Sequence, residues 1–156
     1  MIEVKIPGGE PWQLAHLVLD LNGTLACDGV LLSGIAKRIA ALKSQLTIHL
    51  LTADTHGSAQ QAAQKLDVEL HVLAAGPGGP QKADFVQALG ASQVVAMGNG
   101  TNDAAMLRAA RLGIAVLGDE GLAPDALAAA TIVVRHAHDG LDLLRFPMRL
   151  SASLRP

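Results

Sequence analysis

Residues 16–24 read His-Leu-Val-Leu-Asp-Leu-Asn-Gly-Thr (HLVLDLNGT), and the rest of the chain is arranged around them. Leu17, Val18 and Leu19 run directly into Asp20, and Asn22, Gly23 and Thr24 follow as a turn-forming cluster, so the stretch predicts a buried strand that ends in a carboxylate. In an open parallel sheet ligands sit at the carboxyl ends of strands, where loops and helix N-termini converge. Asp20 therefore stands where chemistry would be done. An aspartate that merely caps a turn is the competing reading, and the sequence downstream decides between them.

Outward from this strand, short apolar runs alternate with helical patterns at near-regular spacing, the signature of βα units on a parallel sheet. Before it, MIEVKI predicts a short strand or arm broken by Pro7, Gly8 and Gly9. After it, Asp28-Gly29 signals a hairpin, and Ser33 is placed to cap a helix running to about Ser44, with Ile35, Ile39 and Leu42 on one stripe. Strands are expected at 47–51, 68–73, 94–97, 113–117 and 131–134, with helices at about 57–66, 81–89, 104–110, 123–129 and 138–146. Gly76 to Pro80 (GPGGP) reads as a loop too short to separate two cores. The tail carrying Arg145, Arg149 and Arg155 reads as a solvated end. With 156 residues, residues 1–156 are expected to form a single domain.

Half of the residues are hydrophobic but only 2% are aromatic, so the core must be aliphatic and alanine-rich. A net charge of -2 and the lack of an aromatic stacking platform argue against nucleic acid as a partner. No apolar run approaches the roughly 20 residues that span a bilayer, and the N-terminus lacks the basic start and apolar core of a signal peptide. A cytoplasmic protein without a membrane partner is the expectation. The single cysteine, Cys27, cannot form an internal disulfide, and without a preceding helix or a nearby histidine it has no catalytic signal.

Four chemically equipped clusters fall at the ends of successive strands. They are Asp20 with Asn22; Thr52, followed by Ala53, Asp54, Thr55 and His56; Lys82, just past GPGGP; and GNGTND, holding Asn99, Asn102 and Asp103. Together they supply carboxylates, amides, a hydroxyl and an ammonium. That set suits a hard divalent cation plus a phosphate, with one carboxylate left to attack.

The motifs DLNGT, LLTAD, QK and GNGTND also occur in the order and rough spacing of the four motifs of the haloacid dehalogenase (HAD) superfamily. More closely, the stretches LTADTHGSAQQAAQKL and PQKADFVQALGASQVVAMGNGTNDAAMLRAARLGIAV resemble the phosphorylation domain of P-type ATPases, and the similarity covers roughly residues 14 to 135. The resemblance implies a single doubly wound α/β domain, without a cap, with a parallel sheet in the order 3-2-1-4-5-6. It also implies an Mg²⁺-dependent phosphatase. Asp20 would be the nucleophile that becomes an aspartyl-phosphate and would share the metal with the backbone carbonyl of Asn22. Thr52 would bond a phosphoryl oxygen, with Ala53 and Asn102 also on the phosphate, and Lys82 would neutralise nucleophile and phosphate together. Asp103, with Asn102 and Asn99, would complete the metal site directly or through water.

Two positions depart from the family pattern. Its phosphatases usually carry an aspartate two residues after the nucleophile, which protonates the leaving group and later deprotonates water. Asn22 can do neither, and general acid-base help is worth about 10²- to 10⁴-fold. P-type ATPases also lack that aspartate, but they have a lysine where this chain has Leu21. Asn99 stands where the family commonly has a metal-binding aspartate, which should weaken Mg²⁺ binding. Only about eight residues separate Thr24 from the helix at Ser33, leaving no room for a cap.

The expected substrate is a phosphorylated small molecule or a protein-borne phosphate, with a homo-oligomer as a way of covering the site. One alternative is a regulatory module that binds phosphate and Mg²⁺ without turnover, motivated by Asn22 and Asn99. Another is a capless oligomeric phosphatase of the 3-deoxy-octulosonate 8-phosphate type, which the DGV segment resembles. His16, His49, His71 and His136 lie in or beside apolar runs without metal-ligand spacing and read as structural or surface residues. His56 is a candidate for touching substrate, Asp54 reads equally as a helix cap, and Asp119 and Glu120 read as solvated.

Overall fold

The computed structural model describes residues 1–53 and 57–156; Asp54 and His56 lie outside the described residues. Six strands form one parallel sheet: β3 (His16–Leu19), β6 (Thr47–Thr52), β7 (Glu69–Val72), β8 (Val94–Gly98), β9 (Leu112–Val116) and β10 (Ile132–Val134). Their order is β10-β9-β8-β3-β6-β7. This is the expected 3-2-1-4-5-6 arrangement, with the Asp20 strand at the centre. The ladder continues past Leu19, since the Asp20 backbone N–H donates to the Met97 carbonyl at 3.0 Å.

Alternation along the strands splits the core into two layers, because successive side chains point to opposite faces. Leu17, Leu19, Ile48, Leu50, Val95 and Met97 face one layer, whereas Val18, Leu51, Val94 and Ala96 face the other. Both faces are covered, which is why the strands read as nearly continuous apolar runs. The first layer is closed by α1 (Ile35–Leu42), α2 (Ala59–Leu66), α6 (Ala137–Arg145) and α7 (Pro147–Leu154). The second is closed by α3 (Gly78–Ala88), α4 (Ala104–Ala109) and α5 (Pro124–Ala129). As expected, Ile35, Ile39 and Leu42 form the buried stripe of α1.

The hairpin signalled by Asp28-Gly29 is present as β4 (Ala26–Cys27) and β5 (Val30–Leu31). Asp28 and Gly29 both take positive φ, 50° and 78°, which a two-residue turn of this hand requires.

Three expectations are corrected and one is extended. MIEVKI does not stand alone: β1 (Ile2–Val4) pairs antiparallel with β2 (Trp12–Leu14), a strand too short to register in the sequence pattern. Gly34, not Ser33, occupies the N-cap of α1, and no side chain caps that end. Helix α3 starts at Gly78 and so takes in the last three residues of the GPGGP loop. Pro80 falls in its first turn, where the backbone N–H has no intrahelical partner to lose. The tail is a helix, α7, whose Leu150 is fully buried, and its Pro147 sits in the first turn.

Candidate active site

Asp20 follows β3 directly and is only 7% exposed. The loop behind it is wound tightly: the backbone N–H groups of Thr24, Leu25 and Ala26 all donate to the Leu21 carbonyl, at 3.2, 2.9 and 3.0 Å. This winding turns Thr24 back under Asp20. Its Oγ1 lies 3.3 Å from Asp20 Oδ2 and 3.1 Å from Asn99 Oδ1, one hydroxyl proton serving two acceptors.

Lys82 reaches the same point from α3. Its side chain is fully buried, and Nζ donates to Asp20 Oδ1 at 2.7 Å and to Asp103 Oδ1 at 2.6 Å. Burial alone would lower the pKa of this ammonium, but the two carboxylates outweigh that cost and raise it, so Lys82 is charged. Burial also acts on Asp20: together with the negative charge of Asp103, and against the pull of Lys82, it pushes the carboxyl up to about 6. The lysine is held in place by its neighbour. Gln81 ties down the approach to α3, accepting from the Ala74 N–H at 2.9 Å and donating to the Ala74 and Pro77 carbonyls.

Asp103 is fully buried. Its Oδ2 accepts from the backbone N–H groups of Asn99 and Gly100, both at 2.9 Å, while its Oδ1 takes Lys82. A carboxylate so occupied fixes the GNGTND loop and the lysine and does not face the cleft. Gly98 makes room for it, since a Cβ there would lie 2.4 Å from Asp103 Cγ. Asn99 is itself braced, donating through Nδ2 to the Gly121 carbonyl at 3.1 Å.

Above these groups lies a cleft of about 150 Å³ lined by Asp20, Asn22, Thr52, Ala53, Asn99 and Asn102. The eight residues given a role at the cleft therefore converge, six on the cleft wall and Lys82 and Asp103 in the buried layer beneath, while Asp54, Thr55 and His56 lie outside the described residues. Thr24 and Gln81 are additions. The sequence pattern marked Thr24 only as a turn residue, and Gln81 only as the neighbour of Lys82.

The cleft-lining oxygens that could hold a divalent cation are those of Asp20, Asn22 and Asn99; those of Asp103, also expected at the metal, are engaged by Lys82 and by the Asn99 and Gly100 N–H groups. Asn22 Oδ1 is buried and has no hydrogen-bond partner among the described residues, which fits a cation or a donor arriving with a ligand. Only one of these groups is a carboxylate. The donor set thus fits Mg²⁺, with a low affinity.

A second cavity of about 230 Å³ is bordered by Gly23, Thr24, Cys27, Asp119 and Glu120. Burial first, then the charges of Asp28, Glu120 and Asp119, push the Cys27 thiol up, away from thiolate chemistry. His138 donates to the Ser33 carbonyl at 2.7 Å and joins α6 to the start of α1.

No protein-family model matches the chain. It is 44% identical over 63 residues to the uncharacterized protein MJ0073 of Methanocaldococcus jannaschii, covering 40% of this chain and 68% of that one. Among solved structures, the Moraxella catarrhalis 3-deoxy-D-manno-octulosonate 8-phosphate phosphatase in complex with magnesium, phosphate and KDO superimposes with a TM-score of 0.68 at 15% identity, over 90% of each chain. The cobalt-bound form of the corresponding Haemophilus influenzae phosphatase gives 0.70 at 13% identity, over 92% of this chain and 94% of that one. A phospho-aspartyl intermediate analogue of phosphoserine phosphatase gives 0.66 at 13% identity, over 86% and 99%. Among the described residues no helix is long and apolar enough to cross a membrane. The chain is thus of one family with MJ0073 and has the fold of the haloacid dehalogenase superfamily phosphatases.

Proposed function

We propose that the protein is an Mg²⁺-dependent phosphohydrolase that works through an aspartyl-phosphate on Asp20, slowly because Asn22 replaces the general acid. The observation that carries this reading is the buried Lys82 ammonium shared by Asp20 and Asp103 at 2.7 and 2.6 Å, beneath an oxygen-lined cleft. Two carboxylates and a phosphate are tolerable together in a low-dielectric site only if cations offset them. Structural neighbours crystallised with magnesium and phosphate, or as a phospho-aspartyl analogue, support the same chemistry.

In the first step an Asp20 carboxylate oxygen attacks phosphorus, and the bond from phosphorus to the ester oxygen breaks. The leaving oxygen takes its proton from solvent, because the Asn22 amide has no acidic proton to give. Lys82 balances charge on the attacking carboxylate and the transferring group. Thr52 through its hydroxyl, Asn102 through its amide and Ala53 through its backbone N–H donate to phosphoryl oxygens. Water then attacks phosphorus, inorganic phosphate leaves, and Asp20 returns as a carboxylate. Mg²⁺ held by Asp20 with the oxygens of Asn22 and Asn99 would supply further charge neutralisation. Asp103 supports that site through Lys82 and the loop it pins.

The cleft opens without a cap, which favours large or protein-borne phosphates, or a small substrate enclosed by a second copy of the chain. Among small substrates, 3-deoxy-D-manno-octulosonate 8-phosphate is the first to assay, since it is the compound two of the structural neighbours act on. Asn22 and Asn99 favour one other reading, a module that takes up phosphate and Mg²⁺ for regulation without turnover.

A single series of measurements separates the two. With millimolar Mg²⁺ and an aryl or acyl phosphate, the proposal expects slow release of phosphate, a phosphoryl adduct by intact mass, and loss of both in Asp20→Asn. Asn22→Asp should raise turnover by about 10²- to 10⁴-fold. Phosphate binding with no adduct and no gain in Asn22→Asp would establish the regulatory module instead.

A further inference from the structure

On the face of the sheet that carries the second core layer, three side chains from two strands bring their donor atoms together. His49 comes from β6, and Glu69 and His71 come from the edge strand β7, where His49 stands opposite Glu69 and Leu51 opposite His71. The His49 ring is almost entirely buried, whereas His71 and Glu69 have side chains 35% and 59% exposed. His49 Nδ1 lies 3.2 Å from His71 Nε2 and 3.0 Å from Glu69 Oε2, and His71 Nε2 lies 3.6 Å from the same oxygen.

These three separations describe a metal triangle. With bonds of about 2.0–2.1 Å, a tetrahedral zinc ion keeps neighbouring ligand atoms roughly 3.3–3.4 Å apart, the mean of what is observed. Hydrogen bonding alone explains the arrangement less well. Of three atoms in mutual contact, Glu69 Oε2 can only accept when ionised, and at most one proton fits between the two ring nitrogens. The surroundings are also those of a ligand set. Phe85 packs its ring on both imidazoles, with centroids 5.4 and 4.5 Å away, and limits their rotation. His16 on β3 places Nδ1 3.3 Å from His49 Nε2. A metal-bound His49 keeps its remaining proton on Nε2 and needs an acceptor of this kind to fix its tautomer.

We infer that His49, Glu69 and His71 form a second metal site, for a late first-row dication of which Zn²⁺ is the representative, with the fourth position open to water at the sheet edge. The site shares no lining residue with the Asp20 cleft, and its nitrogen-rich ligands select against Mg²⁺. Bound there, the ion clips β7 to β6 and stabilises the edge of the sheet through ligands from both strands.

The test uses the full chain, stripped with chelator and titrated with zinc by calorimetry and by chelator competition. One zinc should bind per chain, and at free zinc about 100 times Kd the melting temperature should rise by roughly 5–10 °C. His71→Ala, at a half-buried position, and Glu69→Gln, at an exposed one, should retain the far-ultraviolet spectrum and bind zinc more than about 100-fold more weakly. His16→Ala should lose only about 10- to 100-fold, as for a partner one step removed from the metal. Asp20→Asn should bind zinc as the parent does, and Mg²⁺ alone should not compete. Absence of a stoichiometric zinc, or an affinity unchanged in both His71→Ala and Glu69→Gln, overturns the assignment.

Discussion

Asp20 is charged at a cost to the fold. Its carboxyl titrates at about 6 rather than its ordinary 3.8, because burial and the neighbouring Asp103 together outweigh the attraction of Lys82. A raised carboxyl pKa means that the folded chain holds a proton which the unfolded chain has already released. The resulting stability is fully present below about pH 4 and is lost as pH rises through about 6. Asparagine does not titrate. In metal-free buffer, Asp20→Asn should therefore gain stability over the parent as pH rises from about 4 to about 7, reaching a difference on the order of 2–3 kcal/mol. Urea denaturation of both proteins across that range checks this, and a difference that stays constant with pH would show that Asp20 is not the group responsible. The same residues show how far the site was legible: carboxylate, hydroxyl, lysine and amides at strand ends mark a polar cleft by type and place. Thr24 and Gln81 were hidden because their roles depend on loop winding, which composition does not encode. The pairing of His49 with Glu69 and His71 was hidden for a related reason, since cross-strand register cannot be read from one strand at a time.

At the scale of elements, the sheet was legible because each strand is buried on both faces and each intervening helix carries one apolar stripe. The pieces that escaped were those whose burial comes from distant partners. β2 has only Trp12, Gln13 and Leu14 to show, and its place is fixed by pairing with β1 and by Arg111 stacked 4.5 Å from the Trp12 ring. The arginines that dominate the tail make its sequence read as a solvated end. Two of them in fact lie over the half-exposed Phe146 ring, at 5.3 and 4.4 Å, while Leu150 turns inward to complete the first core layer. Helix α7 is therefore part of the domain. Truncating a fully buried leucine removes its transfer energy and leaves a cavity, so Leu150→Ala should cost about 2–4 kcal/mol. Met148→Ala on the same helix, at a side chain 80% exposed, should change stability by less than about 0.5 kcal/mol. Equal effects at the two positions would place α7 outside the cooperative unit.

At the scale of the whole molecule, the sheet order puts β3 and β8 side by side at its centre, and from there Asp20 and the GNGTND loop meet Lys82 over the carboxyl edge. Because Lys82 spans from α3 to the loops after both central strands, occupancy of the cleft is coupled to the stability of the entire domain and not to one loop. A ligand that binds only the folded state stabilises it by mass action, about 2.7 kcal/mol at a hundred times Kd, and for a domain of this size that is roughly 5–10 °C in melting temperature. Beryllofluoride, which mimics a phosphoryl group esterified to a carboxylate, should give such a shift with Mg²⁺ present and none without it. Asp20→Asn should abolish the shift, because the mimic needs a carboxylate oxygen to join. His71→Ala should retain it in full, since the proposed zinc position lies elsewhere on the sheet. A parent protein whose melting temperature ignores Mg²⁺ and beryllofluoride together would remove Asp20 as a phosphoryl acceptor. Retention of the shift in Asp20→Asn would move the acceptor to another residue.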